Sequence, residues 1–118
     1  MLAALKAADV HGCAHVTGGG FYENLPRMMP AGLATEIDLG TWPVLRIFDF
    51  LKEKGALADK DLYNVFNMGI GFVIAVPASE ADKVIAAVES NGEKAYTIGR
   101  VVKGEGVIFN GDHDGSLV

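Results

Sequence analysis

Three consecutive glycines that follow a histidine and a threonine are the first residues of this sequence to suggest chemistry. They lie in the segment His15-Val16-Thr17-Gly18-Gly19-Gly20. Because glycine has no Cβ atom, the oxygen atoms of a ligand can approach several main-chain N–H groups here at once. A helix beginning just after the glycines would add unpaired N–H groups and the positive end of its dipole. This arrangement favours an anion such as a phosphate, to which Thr17 can add a hydroxyl and His15 a ring N–H. The alternative is a plain strand-to-helix turn, since the spacing matches neither G-x-G-x-x-G nor G-x-x-x-x-G-K-[ST].

A second glycine motif, Phe66-Asn67-Met68-Gly69-Ile70-Gly71-Phe72, lies at the start of an apolar run. Glycines at the mouth of a buried strand are typical of a bulge or of the close approach of a ligand or another backbone. Asn67 can both donate and accept a hydrogen bond at that mouth. The alternative is a helix-to-strand turn with Asn67 in the left-handed conformation.

Two carboxylates and two histidines raise the question of acid–base or metal chemistry. Glu36 and Asp38 are separated by one residue on a predicted strand, so they share a face. Such a pair can perform acid–base catalysis or hold magnesium, but it is also typical of a solvated strand face. His11 and His15 have the spacing of a helical zinc pair. However, Gly12 stands where the pattern H-E-x-x-H requires its glutamate, and we predict no metal site.

Cys13 and Arg27 are the remaining single residues with reactive or charged groups. Cys13 is the only cysteine, so no internal disulfide can form, which fits a reducing cytosol. We interpret it as a buried structural thiol rather than a nucleophile. Arg27 can pair with a phosphate or remain an ordinary surface arginine.

Composition excludes several classes of protein. The 118 residues suffice for one domain, half of them are hydrophobic, and the net charge is -5. Without a run of basic residues, general binding to nucleic acid is excluded, because its affinity depends on neutralising phosphates. The longest apolar run, Ile70 to Val76, is far too short for a membrane span, and residues 1–9 do not form a signal peptide. We therefore expect a cytoplasmic protein without a membrane partner.

The elements that position these residues follow from periodicity. Helices are predicted over residues 1–9, 21–29, 41–55, about 59–66 and 79–91, and strands over 33–39, 70–76, 96–102 and 107–109. The third helix is predicted to begin at Thr41, and the last to begin at a capping box formed by Ser79 and Asp82. The strand over 70–76 is apolar on both faces, which predicts a central position covered on both sides. The sequence thus predicts a single α/β (α+β) domain over residues 1–118 with a layered mixed sheet. Its last residues, 110–118, which include His113, are predicted to be a flexible polar tail.

The stretch from His11 to Arg27 resembles the signature of the phosphoribosylformylglycinamidine cyclo-ligase (aminoimidazole ribonucleotide synthetase) family. Its members read AH-[IVL]-TGGG followed by EN-[IL]-PR, and this sequence has Ala14 to Gly20 followed by Glu23 to Arg27. The resemblance runs in order over roughly residues 2 to 102. It includes Ile37-Asp38, Trp42-Pro43, Ile47-Phe48, Gly55, Tyr63, Phe66 to Gly71, Gly92 to Tyr96 and Ile98-Gly99.

The resemblance implies an ATP-dependent ring closure. In this family the formyl oxygen of formylglycinamidine ribonucleotide is activated by phosphoryl transfer, and an amidine nitrogen then closes the imidazole ring. The resemblance implies ATP and Mg²⁺ as cofactors. It also implies that the full-length enzyme is a homodimer in which an amino-terminal domain carries most of the ATP site. The carboxy-terminal domain, which this chain resembles, closes the cleft and presents the glycine-rich loop. Without the amino-terminal domain, we expect the 118-residue chain to be inactive and to bind no cofactor tightly.

By the same resemblance, two groups of residues are candidates for the site. His15, the candidate catalytic residue, and Thr17, Gly18, Gly19 and Gly20 would line the pocket for substrate or phosphate. Asn67 and Gly69 are second candidates because they belong to the other family motif. Two alternatives stay open: a stand-alone phosphate- or nucleotide-binding or regulatory module, and a related ATP-dependent synthetase. The latter group comprises the amidotransferase one step earlier, selenophosphate synthetase and thiamine-phosphate kinase.

Overall fold

A computed structural model describes all 118 residues, which form five helices and five strands in mixed order. The helices are α1 (Leu2–Ala7), α2 (Gly20–Asn24), α3 (Arg46–Gly55), α4 (Asp59–Val65) and α5 (Ala81–Glu89). The strands are β1 (Gly12–His15), β2 (Leu33–Asp38), β3 (Phe72–Ala75), β4 (Gly99–Lys103) and β5 (Val107–Asn110). Short 3-10 turns cover Leu25–Met28, Ala78–Glu80 and Asp114–Ser116. The predicted α/β class is confirmed.

The strands are divided between two sheets. β1 and β3 form an antiparallel pair in which His15 lies opposite Phe72 and Gly12 lies opposite Ala75. The other sheet has the order β4-β2-β5 and is mixed, because β2 runs antiparallel to β4 and parallel to β5. The expectation that residues 70–76 form a central strand covered on both faces was wrong. Only β1 pairs with β3, and Phe72 is 45% exposed, because an apolar run reports hydrophobicity and not how many strands flank it.

The main core lies between the three-stranded sheet and helices α2 and α4. Phe21 occupies its centre. Its ring is stacked on Trp42 and edge-on to Tyr63, and the ring centroids are 5.7 Å apart in both pairs. Burying one such side chain contributes about 1.5–3 kcal/mol. The cluster consists of Val16, Phe21, Leu25, Ile37, Trp42, Val44, Leu62, Tyr63, Met68 and Ile70. It joins the two glycine motifs, because α2 follows the first motif and Met68 and Ile70 belong to the second.

Helix α3 begins five residues later than the sequence predicts. Val44 is fully buried and forms a parallel bridge with Leu117. Its N–H donates to the carbonyl of Ser116 at 3.0 Å, and its carbonyl accepts from the N–H of Val118 at 2.8 Å. Because Val44 is paired with the end of the chain, the backbone stays extended through Leu45 and the helix starts only at Arg46.

The same bridge changes the interpretation of the last residues. Instead of a loose polar tail over 110–118, the structure shows this segment hydrogen-bonded to Val44 and Arg46, with His113 only 4% exposed. The physical reason is a long-range pairing that the local polar composition does not reveal.

The predicted capping box at the start of α5 was also wrong. A 3-10 turn precedes the helix, and the residue before its first turn is Glu80, which makes no side-chain cap. The Glu80 carboxylate instead accepts a hydrogen bond from the main-chain N–H of Asp9 at 2.9 Å. No helix in the structure is both long enough and apolar enough to cross a membrane.

Candidate functional site

The glycine motif forms a tight turn between β1 and α2. The N–H of Gly20 donates to the carbonyl of Thr17 at 3.0 Å. Gly19 and Gly20 have φ values of 96° and 57°, in the left-handed region. The N–H groups of Thr17, Gly18 and Gly19 have no hydrogen-bond acceptor within the chain, and Thr17 and Gly18 are exposed. The turn therefore offers unpaired main-chain donors at the surface, as an anion site requires.

Packing accounts for two of the three glycines. A Cβ atom at Gly20 would overlap the main-chain oxygens of Tyr63 and Phe66, because α2 crosses the end of α4 at van der Waals distance. A Cβ atom at Gly19 would overlap the side chain of Glu23. At Gly18 nothing lies within 4 Å of the corresponding position, and φ is not left-handed. Packing therefore does not explain why residue 18 is glycine.

Asn24 connects the turn to the following helix. Its side chain is buried, and Nδ2 lies 2.8 Å from the carbonyl oxygen of Gly20 and 3.3 Å from those of Thr17 and Gly18. Nη1 of Arg27 donates to Oδ1 of Asn24 at 3.3 Å. Sequence reasoning missed this role of Asn24, although a polar residue next to the apolar Leu25 and shortly after the glycines was the available signal.

The helix expected to add a dipole to the turn is short. Helix α2 has five residues and continues into the 3-10 turn Leu25–Met28. A helix of little more than one turn aligns few peptide dipoles, so it contributes little field. The N–H groups of the turn itself are the main feature that can attract an anion.

His15 lies at the end of β1, two residues before Thr17, with its side chain exposed. Its ring centroid lies 6.3 Å from that of Phe72 on the paired strand. His11 precedes the strand, and its ring lies 3.1 Å from the Asp9 carboxylate. Since four residues of extended chain span about 13 Å, His11 and His15 do not share a metal ion.

The second motif lies beside the first. The N–H of Val16 donates to the carbonyl of Gly71 at 2.9 Å, which joins the glycine turn to residues 66–71. In that segment Met68 and Gly69 have φ values of 51° and 92°, and Oδ1 of Asn67 accepts from the N–H of Gly69 at 2.9 Å. The structure therefore contains the turn that the alternative predicted, but Met68 and not Asn67 has the left-handed conformation. Nε1 of Trp42 donates to the carbonyl of Met68 at 2.9 Å and supports this geometry.

The carboxylates of Glu36 and Asp38 are neutralised on the three-stranded sheet. Arg100 on β4 contacts Glu36 at 3.1 Å and Asp38 at 3.0 Å. Nδ2 of Asn110 on β5 donates to the same two carboxylates at 2.7 Å and 3.2 Å. Because a cation and an amide already occupy these oxygens, the pair does not fit a magnesium site. The interpretation as a polar strand face agrees with this geometry.

His113 belongs to a buried network that the sequence did not indicate. Its Nδ1 lies 2.9 Å from the Tyr63 hydroxyl, and its Nε2 lies 3.0 Å from Oδ1 of Asp49. Burial, together with Asp59, Asp49 and Asp114, raises the pKa of the Tyr63 phenol above its ordinary value of about 10. Asp49, His113 and Asp114 bring possible metal ligands within 4.8 Å of one another. Both imidazole nitrogens are already hydrogen-bonded, however, so this group serves to hold the end of the chain.

A cavity of about 270 Å³ opens beside this network. Tyr63 and His113 line it, as do Lys52 and Asp59, which form an ion pair across its rim. The hydrogen bond that the Lys52 ammonium donates to the Asp59 carboxylate raises the pKa of Lys52, and burial opposes this shift in part. The cavity wall thus contains both signs of charge and no unpaired buried group.

Taken together, the fold and the glycine turn define a mixed α/β domain that presents unpaired N–H groups at one end of a two-stranded sheet. Residues 1–112 match the family model for the AIR synthase related protein, C-terminal domain, and the chain belongs to this family. The family resemblance inferred from the glycine motif is confirmed.

Two relatives and one solved structure illustrate the similarity. The chain is 87% identical over all 118 residues to a phosphoribosylformylglycinamidine cyclo-ligase of Lysinibacillus sphaericus. It is 60% identical over 111 residues, 94% of the chain, to the cyclo-ligase of Bacillus subtilis. The chain spans about a third of these relatives, 34% and 32% of their lengths. The fold is similar to that of a thiamine-monophosphate kinase from Stenotrophomonas maltophilia, with a TM-score of 0.65 and 20% identity over 92% of this chain and 33% of the other.

The ligand-binding roles of the candidate residues stay predictions. The structure does place the two motifs side by side, since the N–H of Val16 donates to the carbonyl of Gly71. The predicted set comprises His15, Thr17, Gly18, Gly19, Gly20, Asn67 and Gly69. Within it, Gly19, Gly20 and Gly69 have left-handed backbones that their turns require, while His15, Thr17 and Gly18 are exposed without such a constraint.

Proposed function

We propose that this chain is the carboxy-terminal part of a phosphoribosylformylglycinamidine cyclo-ligase, an ATP-dependent ligase of purine biosynthesis that forms a carbon–nitrogen bond. The observation that carries the proposal is the 87% identity over all 118 residues to a relative of that name. Because the chain spans 34% of that relative, the complete reaction requires the remaining two thirds. We place the ATP site mainly there, in an amino-terminal domain, and the full enzyme, a homodimer, in the cytoplasm.

The contribution of this chain to the reaction is to hold a phosphate. The reaction turns the formyl oxygen of formylglycinamidine ribonucleotide into a phosphate leaving group, after which the amidine nitrogen attacks the formyl carbon. Substrate and transition state both carry phosphate oxygens, which accept hydrogen bonds from main-chain N–H groups. Thr17, Gly18 and Gly19 supply three such groups without internal acceptors. ATP supplies the phosphoryl group when it is bound to the full enzyme.

Gly18 supports this assignment more specifically than its neighbours do. Gly19 and Gly20 are required by the turn and by the contact with α4, but no neighbouring atom restricts residue 18. A glycine at an unrestricted, exposed position leaves room for a ligand to reach the backbone. His15 is exposed two residues before Thr17 and can contact the same ligand.

Magnesium is assigned to the amino-terminal domain. Glu36 and Asp38 do not fit a cation because Arg100 and Asn110 already occupy them. The exposed face of β1 and β3, with His15 opposite Phe72, is the surface on which we place that domain. It is partly apolar and lies next to the glycine turn, so a domain packed there would complete a cleft around the loop.

The proposal is tested by exchanging this chain for its counterpart in the Lysinibacillus sphaericus cyclo-ligase. The chimeric enzyme is expected to form aminoimidazole ribonucleotide and ADP at a rate close to that of the parent. The 118-residue chain alone is expected to form neither product. The matched control is the parent enzyme without its carboxy-terminal third, which should also be inactive.

The contrary results are distinct. A chimera that is folded and dimeric like the parent, yet forms no product, would refute the proposal. If such a chimera were inactive while the isolated chain still bound phosphate, the stand-alone binding module would be the better interpretation. Turnover of thiamine phosphate or selenide in place of the ribonucleotide would indicate one of the related synthetases.

A further inference from the structure

We propose that Asn24 is the positioning residue of the glycine turn, and that Arg27 sets the orientation of its amide. The inference deepens the proposed function and rests on it for the identity of the ligand, a phosphate monoester. Its structural basis is one buried side chain that contacts three of the four carbonyl groups of residues 17–20.

The planar trans peptide explains how a contact to carbonyl groups controls the N–H groups. In each trans unit the C=O of one residue and the N–H of the next point in opposite directions. The chain has no cis peptide bond. Since Nδ2 of Asn24 holds the carbonyls of Thr17 and Gly18, the N–H groups of Gly18 and Gly19 must point away from it. These are two of the N–H groups that have no acceptor in the chain.

Arg27 determines which end of the Asn24 amide faces the turn. An amide side chain presents a donor and an acceptor end of almost equal shape, so its orientation depends on its partners. The guanidinium group is only a donor, and its Nη1 lies 3.3 Å from Oδ1 of Asn24. The carbonyls of the turn occupy the opposite end. The flipped amide is therefore excluded. It would place Nδ2 against the guanidinium donor of Arg27 and Oδ1 against the carbonyl oxygens of the turn.

The same contact explains why Glu23 to Arg27 follows the triple glycine in this sequence. Asn24 is one helical turn beyond Gly20, where its side chain can reach back to the carbonyl groups, and Arg27 follows at i+3. If Asn24 only satisfied buried polar groups, its replacement would lower stability without changing phosphate affinity. If it positions the turn, phosphate affinity changes in molecules that remain folded.

The first test is a titration of the ¹⁵N-labelled 118-residue chain with inorganic phosphate, followed through the amide signals of Gly18 and Gly19. Asn24→Asp replaces the donor by an anion that faces three carbonyls, and it is expected to weaken phosphate binding at least about tenfold. Arg27→Ala is expected to weaken binding by about threefold, and Arg27→Lys to restore part of the loss. The matched control is Asn91→Asp, because Asn91 also donates to a main-chain carbonyl, that of Ala87, but at the end of α5.

The second test uses the chimeric enzyme. Asn24→Asp and Arg27→Ala are expected to raise the KM for the ribonucleotide, whereas a loss of folded molecules would lower kcat alone. Arg27 is exposed, so Arg27→Ala remains informative if Asn24→Asp fails to fold. Three results would each overturn the inference. The first is that the Gly18 and Gly19 signals are unchanged in Asn24→Asp, and the second is that Arg27→Ala and Asn91→Asp have equal phosphate affinities. The third is that the unsubstituted chain shows no response to phosphate. The phosphate titration needs neither ATP nor turnover, so its failure is distinguishable from an inactive chimera.

Discussion

The hydroxyl of Tyr63 lies 2.9 Å from Nδ1 of His113, which is fifty residues further along the chain and just outside the matched residues 1–112. The other ring nitrogen of His113 lies 3.0 Å from Asp49. A neutral imidazole has one donor and one acceptor nitrogen. Since the carboxylate of Asp49 accepts a hydrogen bond from Nε2–H, Nδ1 of that tautomer accepts a hydrogen bond from the Tyr63 hydroxyl. The three side chains thereby join α3, α4 and the last residues of the chain.

His113→Ala is expected to lower the free energy of unfolding by about 2–4 kcal/mol. The substitution removes two hydrogen bonds, leaves the buried Tyr63 hydroxyl without its partner and opens a small cavity. Chemical denaturation followed by circular dichroism measures the change. Asp114→Ala, at the exposed neighbouring residue, is the control and should change stability by less than about 0.5 kcal/mol. Equal effects of the two substitutions would contradict a structural role for the network.

Stability is expected to decrease at alkaline pH through Tyr63. Its pKa in the folded state is raised by burial and by Asp59, Asp49 and Asp114. Between the ordinary pKa of about 10 and the raised one, the unfolded chain releases a proton that the folded chain keeps. Stability therefore falls as the pH rises above about 10, with a slope of at most about 1.4 kcal/mol per pH unit from this group. Denaturation curves recorded from about pH 9 to about pH 11 measure how steeply the free energy of unfolding falls with pH. Tyr63→Phe should make this slope smaller. An identical slope in both proteins would refute the assignment to Tyr63.

Gly20→Ala and Gly18→Ala are expected to separate packing from ligand access. The added methyl at residue 20 meets the carbonyl oxygens of Tyr63 and Phe66 in a left-handed backbone, so stability should fall by about 3 kcal/mol or more. At residue 18 the methyl meets nothing, and thermal stability should remain within about 0.5 kcal/mol of the parent. In the chimeric enzyme Gly18→Ala should nevertheless raise the KM for the ribonucleotide, because the methyl obstructs the approach to the backbone. A stable Gly20→Ala protein would show that α2 and α4 can move apart.

His15→Ala in the chimeric enzyme is expected to lower kcat/KM by about tenfold or more while leaving stability unchanged. The side chain is exposed on β1, so the fold loses little when it is removed. His11→Ala is the matched control, because His11 is also exposed but pairs with Asp9 away from the turn. Steady-state assays at saturating ATP give the comparison. Unchanged catalytic efficiency in His15→Ala would count against direct contact with the substrate.

Local periodicity allowed the regular elements of this fold to be predicted. Leu33 to Asp38 alternates in polarity and forms β2, and the apolar stripe that includes Val84 and Ile85 lies on α5. These patterns need no knowledge of distant residues, because the period alone determines which face is buried. The α/β class and the positions of the two glycine motifs at element boundaries were predictable for the same reason.

Long-range pairing accounts for the features that could not be predicted. The bridge from Val44 to Leu117 delays α3, and the contact between Tyr63 and His113 orders the end of the chain. Neither partner is recognisable locally, since Leu117 and His113 occur in a polar stretch. Asn24 was missed for a related reason. Its function is apparent only when the carbonyl groups that it contacts have a defined direction.

The stacking of Trp42 on Phe21 has a practical consequence. Trp42 is the only tryptophan of the chain and is 2% exposed. Its ring contacts the first turn of α2, and its indole nitrogen donates to Met68 in the second motif. Tryptophan fluorescence therefore originates from one buried indole at the junction of both glycine motifs. A shift of its wavelength without unfolding would report a rearrangement at that junction, so the molecule contains an intrinsic optical probe that needs no label.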